Sequence, residues 1–141
     1  MSNLSKHIQG HNPWAIIVGR GAHGKREAAE RIMVQLRSAG FQVGGALAAR
    51  NDTVPGGRYE LVNQASGARV LLAKEGKSPD ICDLKFEQSA FDDAEQWCRV
   101  SGLDVVFVEL GKLEANGRGL WPTFVHLMCG PPCLVLAVVR P

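Results

Sequence analysis

The sequence has few cysteines, few aromatic residues and little excess charge, and each shortage excludes a class of protein. Its four cysteines are unevenly spaced over 141 residues, so a secreted disulfide framework is not expected. The net charge of +2 is too small for nucleic-acid or membrane binding through bulk electrostatics. The tryptophans Trp14, Trp97 and Trp121 fall in different segments, which disfavours a platform for stacking bases. No nucleic-acid or membrane partner is predicted.

Long apolar runs are also missing. No stretch approaches the roughly 18 consecutive apolar residues of a membrane-spanning helix, and the opening residues have no apolar signal-peptide centre. We therefore expect a soluble, cytoplasmic protein with reduced thiols. The polar residues 1–12 are predicted to form a flexible arm, and residues 13–141 a single domain, because this length suits one hydrophobic core.

Hydrophobic patterning predicts alternating strands and helices. The predicted elements are a strand over 14–18, a helix over 25–39, a strand over 41–48, a hairpin over 59–62 and 70–73, a helix over 89–100 capped by Ser89, a strand over 103–110, a helix over 120–128 and a strand over 133–139. A strand–helix–strand order favours parallel pairing, and the apolar run at 103–110 suits a central strand covered on both faces. The sequence predicts a three-layer α/β fold with a mostly parallel sheet and a β-hairpin excursion.

The first predicted strand leads into a glycine-rich segment with the spacing of a phosphate-binding P-loop. The segment GRGAHGKR fits the GxxxxGK part of that motif and lies where the motif requires, between a strand and a helix. Its backbone N–H groups and the helix dipole favour a phosphate, and the lysine reaches terminal phosphate oxygens. A purely structural glycine turn is the alternative. The candidate phosphate-binding residues are Gly19, Arg20, Gly21, Ala22, His23, Gly24, Lys25 and Arg26.

Arg26 departs from the P-loop pattern, which has Ser or Thr at this position to hold Mg²⁺. A guanidinium cannot ligate a cation, so either Mg²⁺ is held by other groups or Arg26 replaces it as a partner of the anion. We assign no residue of this sequence as a metal ligand.

A carboxylate and several basic groups follow the central predicted strand. Glu109 comes directly after the apolar run, so it should emerge at the carboxyl end of the strand, where open α/β sheets place their ligand crevice. There it is placed to act as a general base on water. The next loop adds Lys112, Glu114 and Arg118, with Arg118 facing the phosphates from across the crevice, and Arg50 is a further anion contact. An ordinary solvated loop is the alternative interpretation.

These segments, in this order and with a hairpin between them, resemble the small nucleoside-triphosphatases first described from thermophiles. The resemblance implies a RecA-like P-loop core that hydrolyses nucleoside triphosphates to diphosphates, with Mg²⁺ as cofactor. The acidic motif of that family, Asp-Glu-Ile-Gly-Lys-Met-Glu, is matched here at Glu109, Leu110, Gly111, Lys112, Leu113 and Glu114. Val108 stands where the family has aspartate.

The chain also resembles an uncharacterised bacterial family distantly related to those phosphatases. That family carries the phrase Gly-Lys-x-Glu-x-x-Gly-Arg-Gly in its last third. Here the matching residues are Gly111, Lys112, Glu114, Gly117, Arg118 and Gly119. The resemblance covers roughly residues 14–139.

Replacing both Mg²⁺ supports, at Arg26 and Val108, weakens the case for hydrolysis, because phosphoryl transfer relies on charge neutralisation by the metal. The leading hypothesis is a nucleotide-binding protein with weak or lost nucleoside-triphosphatase activity, in which Lys25 and Glu109 are the catalytic residues. One alternative is a non-catalytic sensor or adaptor for phosphate, sulfate or molybdate. A further alternative is a thiol redox or metal-binding protein built on Cys129 and Cys133.

Overall fold

The computed structural model describes residues 11–18, 21–75 and 84–140, with the backbone alone described for residues 21–23. The strands are β1 (Trp14–Ile17), β2 (Val43–Asn51), β3 (Arg58–Asn63), β4 (Arg69–Glu75), β5 (Leu84–Phe86), β6 (Val105–Leu110) and β7 (Leu134–Val139). The helices are α1 (Gly21–Ser38), α2 (Gln88–Cys98), α3 (Lys112–Ala115) and α4 (Trp121–Cys129).

The strands of the described part form one sheet in the order β1-β7-β6-β2-β3-β4-β5. The pairings from β1 to β2 are parallel, whereas those from β2 to β5 are antiparallel. The prediction of a mostly parallel sheet is therefore wrong, because the hairpin continues the sheet. The cause is the length of β2, which pairs with β6 over Val43–Ala46 and with β3 over Ala46–Asn51.

Helices cover both faces of this sheet, which confirms a three-layer α/β arrangement. On one face, Ala29 and Met33 of α1 pack against a core that includes Phe107 of β6. On the other face, α2 and α4 contribute Cys98 and Leu127 to a core with β6 and β7. Residues of β6 alternate between the two cores, as expected for a strand that is buried on both sides.

Most predicted elements are confirmed in existence, and their boundaries differ by a few residues. Helix α1 begins at Gly21, four residues before its predicted start, so much of the predicted glycine loop is helical. Ser89 is not a cap, because α2 begins after Glu87 and no side chain there caps it. The short elements β5 and α3 carry too few residues for a periodic signal, and the sequence does not predict them.

The three tryptophans lie in different elements, as expected, and two of them pack against the same phenylalanine. Trp14 of β1 and Trp121 of α4 both contact the ring of Phe124, at centroid distances of 6.4 and 5.4 Å. Both remain 40% exposed or more, so they pack only partly. No helix within the described residues is long and apolar enough to cross a membrane.

Candidate functional site

The candidate site lies at one edge of the sheet. Strands β1, β7, β6 and β2 are parallel, so their carboxyl ends meet at this edge. Helix α1 begins just after the end of β1 and presents its positive N-terminus there. Because β7 separates β1 from β6, the axes of those two strands lie about 10 Å apart, which is two interstrand spacings.

Lys25 is a buried cation near the start of α1. Its side chain is only 6% exposed, and it has no hydrogen bond or ion pair among the described residues. Side chains on a helix lean toward the N-terminus, so Lys25 leans back over the first turn. A largely buried lysine beside the positive end of a helix gains from an anionic partner, and a bound anion would supply one.

Glu109 lies near the carboxyl end of β6, and its side chain is only 10% exposed. Its Oε1 accepts the N–H of Ala48 at 3.2 Å, and its Oε2 lies 2.8 Å from Nε of Arg140. Burial raises the pKa of Glu109 above its ordinary value, and the charges of Arg140 and Arg26 oppose that effect only in part. A carboxylate with a raised pKa is better matched to proton transfer near neutral pH than an ordinary one.

Arg140 is a site residue that the sequence analysis missed. It follows β7 directly, and β7 lies between the strand that leads into α1 and the strand of Glu109. Its side chain is 44% exposed, and its guanidinium has five N–H donors, so it can pair with Glu109 and still donate to a ligand. The sequence carried a signal for it, because Arg140 directly follows a buried strand and Glu109 lies one residue before the end of another.

A cavity of about 230 Å³ opens beside Glu109 and Arg140. Lys112, Glu114 and the backbone of Gly111 add to its polar lining, and most of its remaining lining residues are apolar. The apolar residues of the wall are Ala48, Tyr59, Leu61, Leu72, Leu84, Phe86, Phe91, Leu113 and Leu120. The walls come from β2 to β5, from α2 and from the segment around α3, so the cavity lies on the side of β6 that faces the antiparallel strands.

Glu114 holds the loop beside this cavity in shape. It is 8% exposed, and its two oxygens accept the N–H groups of Gly111 at 2.7 Å and of Leu120 at 2.9 Å. Gly119 has a φ of +61°, and a Cβ there would lie 1.8 Å from Oε2 of Glu114. The segment from Gly111 to Gly119, which carries the family resemblance, therefore has a structural role: it folds around the buried carboxylate of Glu114.

The remaining predicted residues are spread around the edge of the sheet. Arg26 is exposed, and its charge reaches Glu109. Lys112 is exposed on the rim of the cavity, whereas Arg118 is exposed in the turn before α4 and does not line it. Arg50 pairs with Asp52 at 2.6 Å and lies over the ring of Tyr59, so its charge is already matched.

Part of the predicted phosphate loop cannot be placed. Gly19 and Arg20 lie outside the described residues, and the side chains of Ala22 and His23 lie in the part described by backbone alone. Gly21 and Gly24 lie in the first turn of α1, where backbone N–H groups have no partner within the helix. The first turn of α1 therefore offers backbone N–H donors to a ligand, and the rest of the phosphate-loop prediction stays a prediction.

The structure gives little support to a thiol or metal site. Burial raises the pKa of Cys98 to about 12 and also raises the pKa of Cys133, so neither thiol is a ready thiolate. Within the described residues there is no group of three or more His, Cys, Asp or Glu side chains suited to hold a metal ion. His126 lies 2.6 Å from Glu95 on the exposed surface.

The fold is similar to that of a solved structure. The structure matches a solution structure entitled "Solution Structure of a Human Cancer-Related Nucleoside Triphosphatase" with a TM-score of 0.64 and 18% sequence identity. The match covers 92% of this chain and 76% of the human chain, so the two share an α/β fold. The chain belongs to the family described as "Protein of unknown function (DUF2478)", whose sequence profile matches residues 14–141. No curated protein matches the sequence significantly.

Proposed function

We propose that this protein binds the phosphate groups of a nucleoside triphosphate at the N-terminus of α1. The observation that carries the proposal is Lys25, which is 6% exposed and has no anionic partner within the described part of the chain. Its neighbour Arg26 is exposed and adds a second cation to the same turn. Together with the N–H groups of the first turn, these cations form an environment that favours a phosphate.

A polyphosphate suits this edge of the sheet better than a single phosphate. Arg140 and Glu109 follow the first turn of α1 in space, because β7 and then β6 come next to β1 in the sheet. A chain of phosphates has the length to contact Lys25 at one end, to pass Arg140 about one interstrand spacing away, and to reach Glu109 about two spacings away. The human protein of similar fold is named a nucleoside triphosphatase, which agrees with this ligand class.

Hydrolysis is proposed to be weak, because the residues present do not fit a protein-held Mg²⁺. Arg26 occupies the position of the usual hydroxyl ligand. Val108 occupies the position of the aspartate and is completely buried in the core. Glu109, the neighbour of Val108 on β6, is paired with Arg140. The charge of the phosphates is therefore neutralised by Lys25, Arg26 and Arg140, and Glu109 orients the attacking water.

A second candidate function is a sensor or adaptor that binds a simple oxyanion such as phosphate, sulfate or molybdate. The same concentration of cations favours it, since none of these side chains requires a metal to hold an anion. The two candidates differ in the number of anionic groups that they engage. A polyphosphate contacts Lys25 and Arg140 together, whereas a single oxyanion contacts one of them.

Calorimetry with ATP, GTP, tripolyphosphate, inorganic phosphate, sulfate and molybdate tests the proposal, with and without Mg²⁺ and with phosphate release followed in parallel. We expect Lys25→Ala to weaken ATP binding on the order of a hundredfold, because it removes one partner of a buried charge pair. Lys85→Ala removes an exposed lysine of β5 and should leave the affinity within about twofold of the wild type.

Equal ATP affinity in the two lysine variants would contradict the phosphate site. Binding of phosphate, sulfate or molybdate that is as tight as binding of ATP would favour the oxyanion sensor. Rapid Mg²⁺-dependent phosphate release that is lost in Lys25→Ala would instead show an efficient enzyme.

A further inference from the structure

The cavity beside Glu109 lies beyond the place proposed for the terminal phosphate. Crossing the sheet from β1, the order is the start of α1, then Arg140 after β7, then Glu109 on β6, and then Ala48 on β2 at the cavity wall. No described residue of β1 or α1 lines the cavity. A nucleotide that is bound through α1 with its terminal phosphate toward Glu109 therefore has its base on the opposite side from the cavity.

The walls of the cavity favour an organic occupant over water. Leu61, Leu72 and Phe91 are each less than 10% exposed and form its interior with other apolar side chains. An apolar cavity of about 150 Å³ in another protein stays dry and binds benzene, so a volume of about 230 Å³ has room for one ring. Among its polar lining residues, Glu109 and Arg140 lie at the carboxyl ends of β6 and β7, on the side proposed for the phosphates.

Resting on the phosphate site described above, we propose that this cavity holds the acceptor of a phosphoryl transfer. The acceptor is a small molecule with an apolar body about the size of one ring and a hydroxyl group directed at Glu109. The protein is then a phosphotransferase, and water is a poor substitute for its second substrate.

The transfer is balanced without any redox partner. The acceptor oxygen forms a bond to the terminal phosphorus while the bond from that phosphorus to the bridging oxygen breaks. The nucleoside diphosphate leaves with the bonding electrons, and the hydroxyl proton passes to the Glu109 carboxylate. Arg140, which is 2.8 Å from Glu109, lies beside the transferred group and offsets its negative charge.

Benzyl phosphate is a suitable probe, because it joins one ring to the phosphoryl group that would be transferred. We expect it to bind the wild-type protein at least tenfold more tightly than inorganic phosphate. We also expect it to bind in the presence of ADP and to be displaced by ATP, because it shares only the terminal phosphoryl position with the nucleotide. Calorimetric titrations with each nucleotide present measure both effects.

Two variants fill the cavity from different walls. Ala48→Leu and Leu84→Trp should each remove the preference for benzyl phosphate and leave ATP affinity unchanged, and the second variant serves if the first does not fold. Ala65→Leu, in the exposed turn after β3, is the matched control and should keep the preference.

Three results would overturn the acceptor site. These are equal affinities for benzyl phosphate and inorganic phosphate, a preference that survives both cavity-filling variants, and displacement of benzyl phosphate by ADP, which would place the base in the cavity. If ATP does not bind the wild-type protein at all, the phosphate site itself is wrong. If ATP binds but benzyl phosphate binds no more tightly than inorganic phosphate, only the proposed acceptor site is wrong.

Discussion

Two nearly buried glutamates on the same sheet have opposite surroundings. Glu60 on β3 is 2% exposed and lies 2.6 Å from Arg58 and 3.2 Å from Arg69, with Asn51 as a further donor. Glu109 on β6 has one arginine and one backbone N–H, and it faces a cavity. Burial acts to raise the pKa of both carboxyls.

For Glu60, the donors outweigh burial and lower its pKa, whereas for Glu109 burial prevails and the pKa is raised. The carboxylate of Glu60 is engaged by donors that connect parts of the hairpin, so it is poorly placed to accept a proton from a substrate. A carboxylate with too few donors, at the rim of a cavity, is the one suited to take a proton. The comparison thus separates a structural acid from a candidate catalytic acid without reference to any relative.

The largest effect expected from this comparison concerns stability. Glu60→Gln should lower the free energy of unfolding by about 2 kcal/mol, because Arg58 and Arg69 lose charge-assisted hydrogen bonds. Glu109→Gln keeps an acceptor for Ala48 and should change the free energy by less than about 0.5 kcal/mol. Urea unfolding measures both variants, and equal losses would contradict the distinction between the two acids.

Glu114 is a third buried acid, and its role can be tested through the glycine beside it. Gly119→Ala should cost about 2 kcal/mol, because a non-glycine residue is strained at positive φ and the new methyl group displaces Glu114 from the N–H of Leu120. Gly117 also has a positive φ, but a methyl group there would meet no atom within 4 Å, so Gly117→Ala should cost about 1 kcal/mol. Thermal unfolding of both variants measures the difference, and equal losses would show that Glu114 does not shape the loop.

The smallest expected effect is in the pH dependence of stability. Because the folded pKa of Glu60 is lowered, its contribution is present above the unfolded pKa and is lost as pH falls through the folded value. The folded pKa of Glu109 is raised, so its ionisation lowers stability as pH rises from the unfolded value toward the folded one. The unfolded value of either carboxyl is close to 4.5.

Unfolding curves of each Gln variant between roughly pH 3 and 8 give the two slopes relative to the wild type. The deficit of Glu60→Gln should shrink on acidification. The stability of Glu109→Gln should improve relative to the wild type as the pH rises. Slopes of the same sign would show that the two carboxyls do not differ in the way that their surroundings imply.

Apolar patterning alone determined the α/β class, the order of the main elements and the position of Glu109 near a strand end. These features are encoded locally, because a buried strand and an amphipathic helix each need a period that is visible within about ten residues. The spacing of glycine and lysine after β1 likewise indicated the candidate phosphate turn before any fold was known.

Only the tertiary structure decided that the hairpin continues the sheet and that Arg140 meets Glu109. Both depend on the order of the strands in the sheet, which brings Glu109 and Arg140, 31 positions apart, into one ion pair. Strand order cannot be predicted from the hydrophobic periodicity of the sequence. The cavity arises for the same reason, since its walls come from four strands, from α2 and from the loop that Glu114 holds. The sequence therefore indicated most of the candidate groups, and long-range pairing decided which of them face one another.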